Sequence, residues 1–151
     1  MTPEPKIAKR KSVKPSVAAQ AGYSGTPLPK KLGIKPNSTT ALVGAPQGFR
    51  KTLGDLPEGA RLRDEFRGEE ELTIWFVRSR AELTRGMKQM AAKRNERKLW
   101  IAWPKKTSKL AADFSENDVR EAGLAAGLVD FKVCAIDFDW SGLCFSRRKP
   151  K

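Results

Sequence analysis

The pattern of apolar and polar positions changes period several times along the chain, and each change predicts a different element. Residues 72–77 (LTIWFV) form a nearly continuous apolar run, broken only by Thr73, which is typical of a strand covered on both faces. Residues 99–104 (LWIAWP) have the same character. Residues 39–46 (TTALVGAP) predict a buried strand that ends in a Gly-Pro loop, and a further strand is expected around residues 61–66.

Helical spacing appears between these runs. Ser79 and Glu82 form an S-x-x-E capping box before apolar residues that recur every three or four positions. Ser115 opens a second helix with Asp118 three residues later, and Gly127 ends it. Shorter helices are predicted at residues 48–54, and after Thr26-Pro27 up to Gly33.

The C-terminal segment predicts a hairpin. Two apolar runs, FKVCAIDF and GLCFSRR, flank DWSG, which places the turn at Trp140-Ser141 and Cys144 opposite Asp137. The order of elements, with strands alternating with helices, indicates a three-layer, Rossmann-like α/β fold. We expect about six strands in a mainly parallel sheet with a C-terminal antiparallel hairpin.

Positive charge is concentrated at the two ends of the chain. The net charge is +13, yet residues 36–146 carry 18 basic and 16 acidic residues and are almost neutral. Residues 1–21 show no periodicity and predict a disordered basic tail, followed by a single α/β domain over residues 22–147 and a basic tail over residues 148–151. Such tails attract nucleic acid, acidic proteins or anionic surfaces, and they also serve solubility alone.

Composition excludes several kinds of chemistry. The chain has no histidine, which removes the usual general base and the commonest metal ligand. Two cysteines, Cys134 and Cys144, do not complete a structural zinc site, and in the predicted hairpin they point to opposite faces. We therefore expect reduced core cysteines, no catalytic constellation and no metal site. No apolar run spans a membrane or forms a signal-peptide core, so a cytoplasmic protein is expected.

Candidate chemistry lies where the parallel strands end, because ligands bind outside the carboxyl ends of strands in such sheets. Three loops are expected to meet there, at residues 44–48, 78–80 and 104–109. Their basic and hydroxyl side chains suit a phosphate, a carboxylate or a nucleic-acid backbone, although a solvated strand end also requires polar residues. The candidate anion site consists of Arg78, Ser79, Arg80, Lys105, Lys106, Thr107 and Ser108, with Gly44 and Gly48 in the adjoining loop.

Nucleotide motifs and aromatic contacts add little to this site. The loop VGAPQG has neither a G-x-G-x-x-G nor a Walker pattern, and the acids nearest to a ribose-binding position are Asp64 and Glu65. Trp75, Trp100 and Trp103 lie in buried runs and are predicted to be core residues, although stacking on bases is the alternative. Trp140, placed in the hairpin turn, is predicted to be exposed and to contact a partner.

Four stretches resemble a bacterial family known as a domain of unknown function, number three thousand and fifty-two. They are GYSGTPLPKKLGI at 22–34, IWFVRSRAEL at 74–83, WIAWPKK at 100–106 and EAGLAAGLVDFKVCAID at 121–137. The resemblance covers most of residues 22–147. It implies no activity, because the family has none assigned.

A looser resemblance begins at Leu72. From there the strand, helix, LWIAWP strand, EAGL helix and terminal hairpin are similar to the C-terminal half of a class I methyltransferase, which implies binding of S-adenosylmethionine. The N-terminal half departs from that pattern. ALVGAP stands where a glycine-rich cofactor loop would be, and the segment between ALVGAP and Leu72 is too short for two complete strand–helix units. We therefore expect no cofactor.

Together these observations favour a non-catalytic α/β binding module. It would engage an anionic partner, such as a phosphate-containing ligand, nucleic acid or an acidic protein, through its strand-end loops and basic tails. The alternative is a degenerate methyltransferase-like enzyme that binds S-adenosylmethionine, and a third option is an adaptor that docks through its N-terminal tail. The sequence leaves the oligomeric state open.

Overall fold

A computed structural model describes residues 26–92, 98–110 and 112–147. The predicted tails at residues 1–21 and 148–151 lie outside these residues. The strands are β1 (Thr39–Val43), β2 (Arg61–Arg63), β3 (Leu72–Phe76), β4 (Lys98–Pro104), β5 (Leu128–Ala135) and β6 (Trp140–Arg147). The helices are α1 (Leu28–Leu32), α2 (Phe49–Leu53), α3 (Arg80–Ala92) and α4 (Glu116–Ala125).

The strands of this described part form one six-stranded sheet in the order β2-β1-β3-β4-β6-β5. β1 pairs in parallel with both β2 and β3, and β3 pairs in parallel with β4. β6 runs antiparallel between β4 and β5. The predicted mainly parallel sheet with a C-terminal antiparallel hairpin is therefore confirmed. The chain moves outward from β1 to β2 and then returns past β1 to β3, so the β1–β3 boundary is a topological switch point.

Helices cover both faces of the sheet, which gives three layers. On one face, α1 and α2 pack on residues such as Ile74 and Phe76. On the other, α3 and α4 pack on Trp75 and Val77. Alternate residues of β3 thus enter two separate cores, which explains why its sequence is apolar without interruption. Among the described residues, no helix is both long and apolar enough to cross a membrane.

The capping box predicted at α4 is complete, whereas the one predicted at α3 forms only in part. Ser115 and Asp118 form a complete capping box at α4. At α3, the Ser79 hydroxyl accepts a hydrogen bond from the Glu82 N–H at 3.1 Å. The Glu82 carboxylate, however, accepts from the Arg78 N–H at 2.6 Å. The entry to α3 is therefore fixed one residue earlier than an ordinary capping box would fix it.

The hairpin register differs from the prediction. Asp137 accepts hydrogen bonds from the N–H groups of Asp139 and Trp140, which closes the turn at residues 137–139. Trp140 is therefore the first residue of β6, and Cys144 lies opposite Lys132 rather than Asp137. The turn predicted at Trp140-Ser141 is wrong because the side chain of an aspartate, not the Trp-Ser pair, builds the bend.

Both cysteines are buried, so the expectation that they are core residues is confirmed. Burial raises the pKa of the Cys144 thiol to about 12. Because the thiolate is the nucleophilic form, this shift keeps the Cys144 thiol protonated and weakly nucleophilic at neutral pH.

β5 forms one edge of the described sheet and carries three exposed apolar side chains, Val129, Phe131 and Val133. Its ladder with β6 is irregular: Asp130 pairs with Phe145 and Lys132 with Cys144, so Phe131 is an extra residue. This β-bulge turns Asp130 towards α4, where it pairs with Arg120, and Lys132 towards α1, where it bonds the Lys31 carbonyl.

Candidate functional site

The loops that follow β1 and β3 touch at the switch point. Gly44 directly follows β1 and has a φ of 71°, a conformation that favours glycine. A side chain here would place its Cβ 3.0 Å from the Phe76 carbonyl oxygen and 3.4 Å from a guanidinium nitrogen of Arg78. Gly44 therefore allows the backbone after β1 and the residues that end β3 to lie against each other.

Arg78 lies above this contact on an aromatic support. Its guanidinium carbon is 5.1 Å from the centroid of the Trp140 ring. The Trp140 ring meets Phe76 edge to face at 5.1 Å, and Phe76 meets Phe49 in the same way at 4.8 Å. This chain of rings fixes the surface on which the guanidinium stacks.

The prediction that Trp140 is an exposed contact residue is wrong. Only 2% of Trp140 is exposed. Its position at the start of β6, opposite Pro104, turns the ring into the core between the sheet and α2. The error follows directly from the misplaced hairpin turn.

Three of the predicted anion-binding residues have partners within the protein. The Arg80 guanidinium pairs with Asp118 at 3.0 Å, and the Arg80 backbone N–H donates to the Asp113 carboxylate at 2.7 Å. Ser79 caps α3, and the Ser108 hydroxyl donates to Asp139 at 2.8 Å. A backbone hydrogen bond from Ser115, together with Arg80, holds the pKa of Asp118 below its usual range.

Lys105 and Lys106 line a different depression, which we call the lysine cleft. It has a volume of about 460 Å³ and lies between the end of β4 and the start of α4. Trp103 and Phe114 form its apolar wall. Thr107 is exposed next to it. The predicted residues are thus divided between the Gly44–Arg78 contact, the α3–α4 junction and the lysine cleft, whereas Ser108 contacts the hairpin at Asp139. Gly48 begins α2 as its N-cap, with a φ of 87°.

A second depression, missed by the sequence analysis as a site, opens at the carboxyl ends of β1 and β2 against α3. It has a volume of about 500 Å³, and we call it the acidic cleft. Val43, Trp75 and Met90 line it with apolar surface, whereas its acidic residues are Asp64, Glu65 and Glu82. Its shape depends on Gly86 of α3, because a side chain at that position would collide with the Trp75 ring.

Asp64 and Glu65 are each held by an arginine through one carboxylate oxygen only. Asp64 pairs through Oδ1 with Arg50 at 2.8 Å, and Glu65 pairs through Oε1 with Arg67 at 2.6 Å. The hydrogen bond to Glu65 raises the pKa of Arg67 above its ordinary value. In the described part of the chain, the second carboxylate oxygen of each acid accepts no hydrogen bond, so it remains an acceptor for a ligand.

Glu70 organises the loop that carries these acids. Its side chain is fully buried and accepts hydrogen bonds from the Arg67 and Gly68 N–H groups and from the Arg63 guanidinium. Burial by itself would raise the pKa of Glu70, but these hydrogen bonds outweigh it and lower the pKa. An ionised, buried carboxylate therefore fixes residues 67–68 directly after Asp64 and Glu65.

None of the protein-family models matches the sequence, and no curated protein matches it significantly. The predicted membership of the bacterial family of unknown function is therefore not confirmed. Solved structures do match the fold.

Magnesium protoporphyrin IX methyltransferase (ChlM) from Synechocystis PCC 6803 with bound SAH matches with a TM-score of 0.50 at 12% identity, over 74% of this chain and 75% of that chain. A SAM dependent methyltransferase from Aquifex aeolicus matches with a TM-score of 0.50 at 14% identity, over 77% and 85%. The pyocyanin biosynthetic protein PhzM matches with a TM-score of 0.53 at 9% identity, over 80% and 53%.

These similarities show that the chain shares the Rossmann-like fold of SAM-dependent methyltransferases, as its C-terminal half suggested. They also overturn the expectation that the chain has no cofactor, because the matched structures include one with bound SAH and one described as SAM dependent.

Proposed function

We propose that this chain binds S-adenosylmethionine in the acidic cleft, as a compact domain of methyltransferase fold. The observation that carries the proposal is the position of that cleft at the carboxyl ends of β1 and β2, next to the β1–β3 switch point. Ligands bind at this place in sheets of this topology. A volume of about 500 Å³ also lies in the range of small-molecule sites.

The side chains of the cleft match the chemistry of the cofactor. The apolar surface of Val43 and Trp75 suits an adenine ring. The free carboxylate oxygens of Asp64 and Glu65 are acceptors for the two ribose hydroxyls. Glu82 adds negative charge that favours a sulfonium. When bound, the cofactor would supply an electrophilic methyl group, and these residues would hold and orient it.

Isothermal titration calorimetry with the full chain tests the proposal. We expect S-adenosylmethionine and S-adenosylhomocysteine to bind in the micromolar range. Asp64→Asn and Glu65→Gln should each weaken binding about tenfold, the loss of one hydrogen bond to a charged group. Glu121→Gln, at an exposed position of α4, is the matched control. No heat from either ligand at millimolar concentration would refute the proposal.

The lysine cleft favours a second candidate function, the binding of an anionic partner. Lys105 and Lys106 project basic groups beside the apolar wall of Trp103 and Phe114. If the partner is nucleic acid, affinity should fall by about 0.9 log units per tenfold rise in salt for each phosphate neutralised.

The test is salt-titrated binding to DNA, RNA and polyphosphate. Lys105→Ala with Lys106→Ala should weaken binding and reduce the salt slope, whereas Lys35→Ala with Lys51→Ala serves as a charge-matched control. Absence of binding at low salt would exclude these partners.

A further inference from the structure

We propose that Arg78 binds the carboxylate of the amino-acid arm of S-adenosylmethionine and so selects ligands that carry this arm. The inference rests on the proposed function and deepens it. It assigns a role to the guanidinium above Gly44, at the point where β1 and β3 diverge.

Arg78 differs in its hydrogen bonding from the nearby Arg80, which pairs with Asp118. Among the described residues, its guanidinium has no carboxylate partner and lies on the Trp140 ring. A ring face stabilises the flat surface of a guanidinium but accepts none of its in-plane N–H bonds. The planar edge is therefore available for bidentate binding of a carboxylate. Within the described part of the chain, ion pairs with carboxylates are formed by other arginines, among them Arg50, Arg63, Arg67, Arg80 and Arg120.

Arg78 is joined to the acidic cleft from two sides. Val43, which lines the cleft, directly precedes Gly44, whose Cβ position lies 3.4 Å from the guanidinium. Glu82, which also lines the cleft, accepts the Arg78 N–H at 2.6 Å. These contacts place the Arg78 backbone beside the cleft and its guanidinium above Gly44, and we infer that the amino-acid arm of a nucleoside in the cleft reaches the guanidinium across the β1–β3 boundary.

The guanidinium is also fixed before any ligand arrives. Trp140 is buried and held by Phe76, and the Glu82 hydrogen bond fixes the Arg78 backbone. Fixing a side chain in its binding position reduces the entropy lost on binding. An exposed arginine with no such support would be a weaker and less selective carboxylate ligand.

Calorimetry with two ligands separates this role from general cofactor binding. S-Adenosylhomocysteine and 5′-methylthioadenosine share the adenosine and the thioether, but only the former has the amino-acid arm. We expect Arg78→Ala to weaken S-adenosylhomocysteine about 10- to 100-fold, as loss of a charged hydrogen bond predicts, and to change 5′-methylthioadenosine less than about twofold.

Arg78→Lys keeps the charge without the planar fork, so it should give an intermediate loss for S-adenosylhomocysteine and again spare 5′-methylthioadenosine. Arg80→Ala, two residues further along the chain at the start of α3 and paired with Asp118, is the matched control and should leave both affinities within about twofold. Thermal melts verify that each variant is folded.

The outcomes are distinct. Equal weakening of both ligands, or no weakening of either by Arg78→Ala, would overturn the role of Arg78 while leaving cofactor binding intact. Failure of the wild-type chain to bind either ligand would overturn both this inference and the proposed function.

Discussion

Glu70 shows how one buried side chain controls the geometry of the candidate cofactor site. It has no exposed surface, yet it stays ionised because three hydrogen-bond donors point at its two oxygens. A buried carboxylate with this many donors is stable only as a complete set, since removing the charge leaves the donors weakly satisfied.

Glu70→Gln should therefore destabilise the protein by about 1–3 kcal/mol at neutral pH. Because the folded pKa of Glu70 is lowered, its contribution to stability is complete above its ordinary pKa of 4.5 and is lost as pH falls through the folded value. Urea titrations at several pH values should show wild-type stability falling below that point with a steeper slope than in the variant. Glu58→Gln, exposed in a turn, is the control, and identical slopes would contradict this assignment.

Trp103 and its neighbours Lys105 and Lys106 mark the boundary between core and surface at the end of β4. Trp103 is 5% exposed, so Trp103→Ala should cost about 3–5 kcal/mol. Lys105→Ala with Lys106→Ala should change stability by less than about 0.5 kcal/mol. Denaturant unfolding measures both, and the reverse order of effects would refute this boundary.

Sequence patterns identified the buried tryptophans of β3 and β4 but misplaced Trp140. In β3 and β4 every neighbouring residue is also apolar, so any register keeps the rings inside. The location of Trp140 depends instead on which residues form a turn, and that is decided by the hydrogen bonds of the Asp137 side chain.

At the scale of elements, the first turn of α4 both caps its own helix and contacts the start of α3. Asp118 accepts from the Ser115 N–H at 2.9 Å and also pairs with Arg80 at the start of α3. The capping box therefore sets the position of both helices at the carboxyl side of the sheet.

Ser115→Ala should lower stability by about 1 kcal/mol, because it leaves an N-terminal N–H of α4 without its side-chain acceptor. Asn117→Ala, exposed in the same turn, should have a much smaller effect. Thermal unfolding compares the two, and equal losses would show that the cap is not the cause.

Long elements with a regular period were predictable, whereas the acidic cleft was not. The cleft arises where Asp64 and Glu65 meet Gly86 and Met90 of α3, some twenty residues away in sequence. A periodic pattern of apolar residues does not predict this contact, because the intervening loop is irregular and is fixed by Glu70. From the sequence alone, Asp64 and Glu65 were recognisable only as the nearest acids.

At the scale of the whole molecule, the two clefts carry opposite charge on the same side of one sheet. The two hydrophobic cores of the molecule lie on opposite faces of the sheet. They share β3 and β4, because both strands contribute residues to each core. The described part should therefore unfold as one cooperative unit, and a ligand that binds either cleft should stabilise all of it.

S-Adenosylhomocysteine at about a hundred times its Kd should stabilise the fold by about 2.7 kcal/mol and raise the Tm by roughly 5–10 °C. Differential scanning calorimetry should show a single transition that moves as a whole. Two transitions, of which only one moves, would show that the faces unfold independently.

The bulge at Phe131 has a consequence for the behaviour of concentrated solutions. A long, regular edge strand with apolar side chains is a template on which other chains add strands and aggregate. Deleting Phe131 should restore a regular β5 ladder and promote aggregation, which light scattering at increasing protein concentration would detect. A deletion variant that stays monodisperse would contradict this role. We therefore expect the extra residue to keep the β5 edge of the described sheet from pairing with other chains.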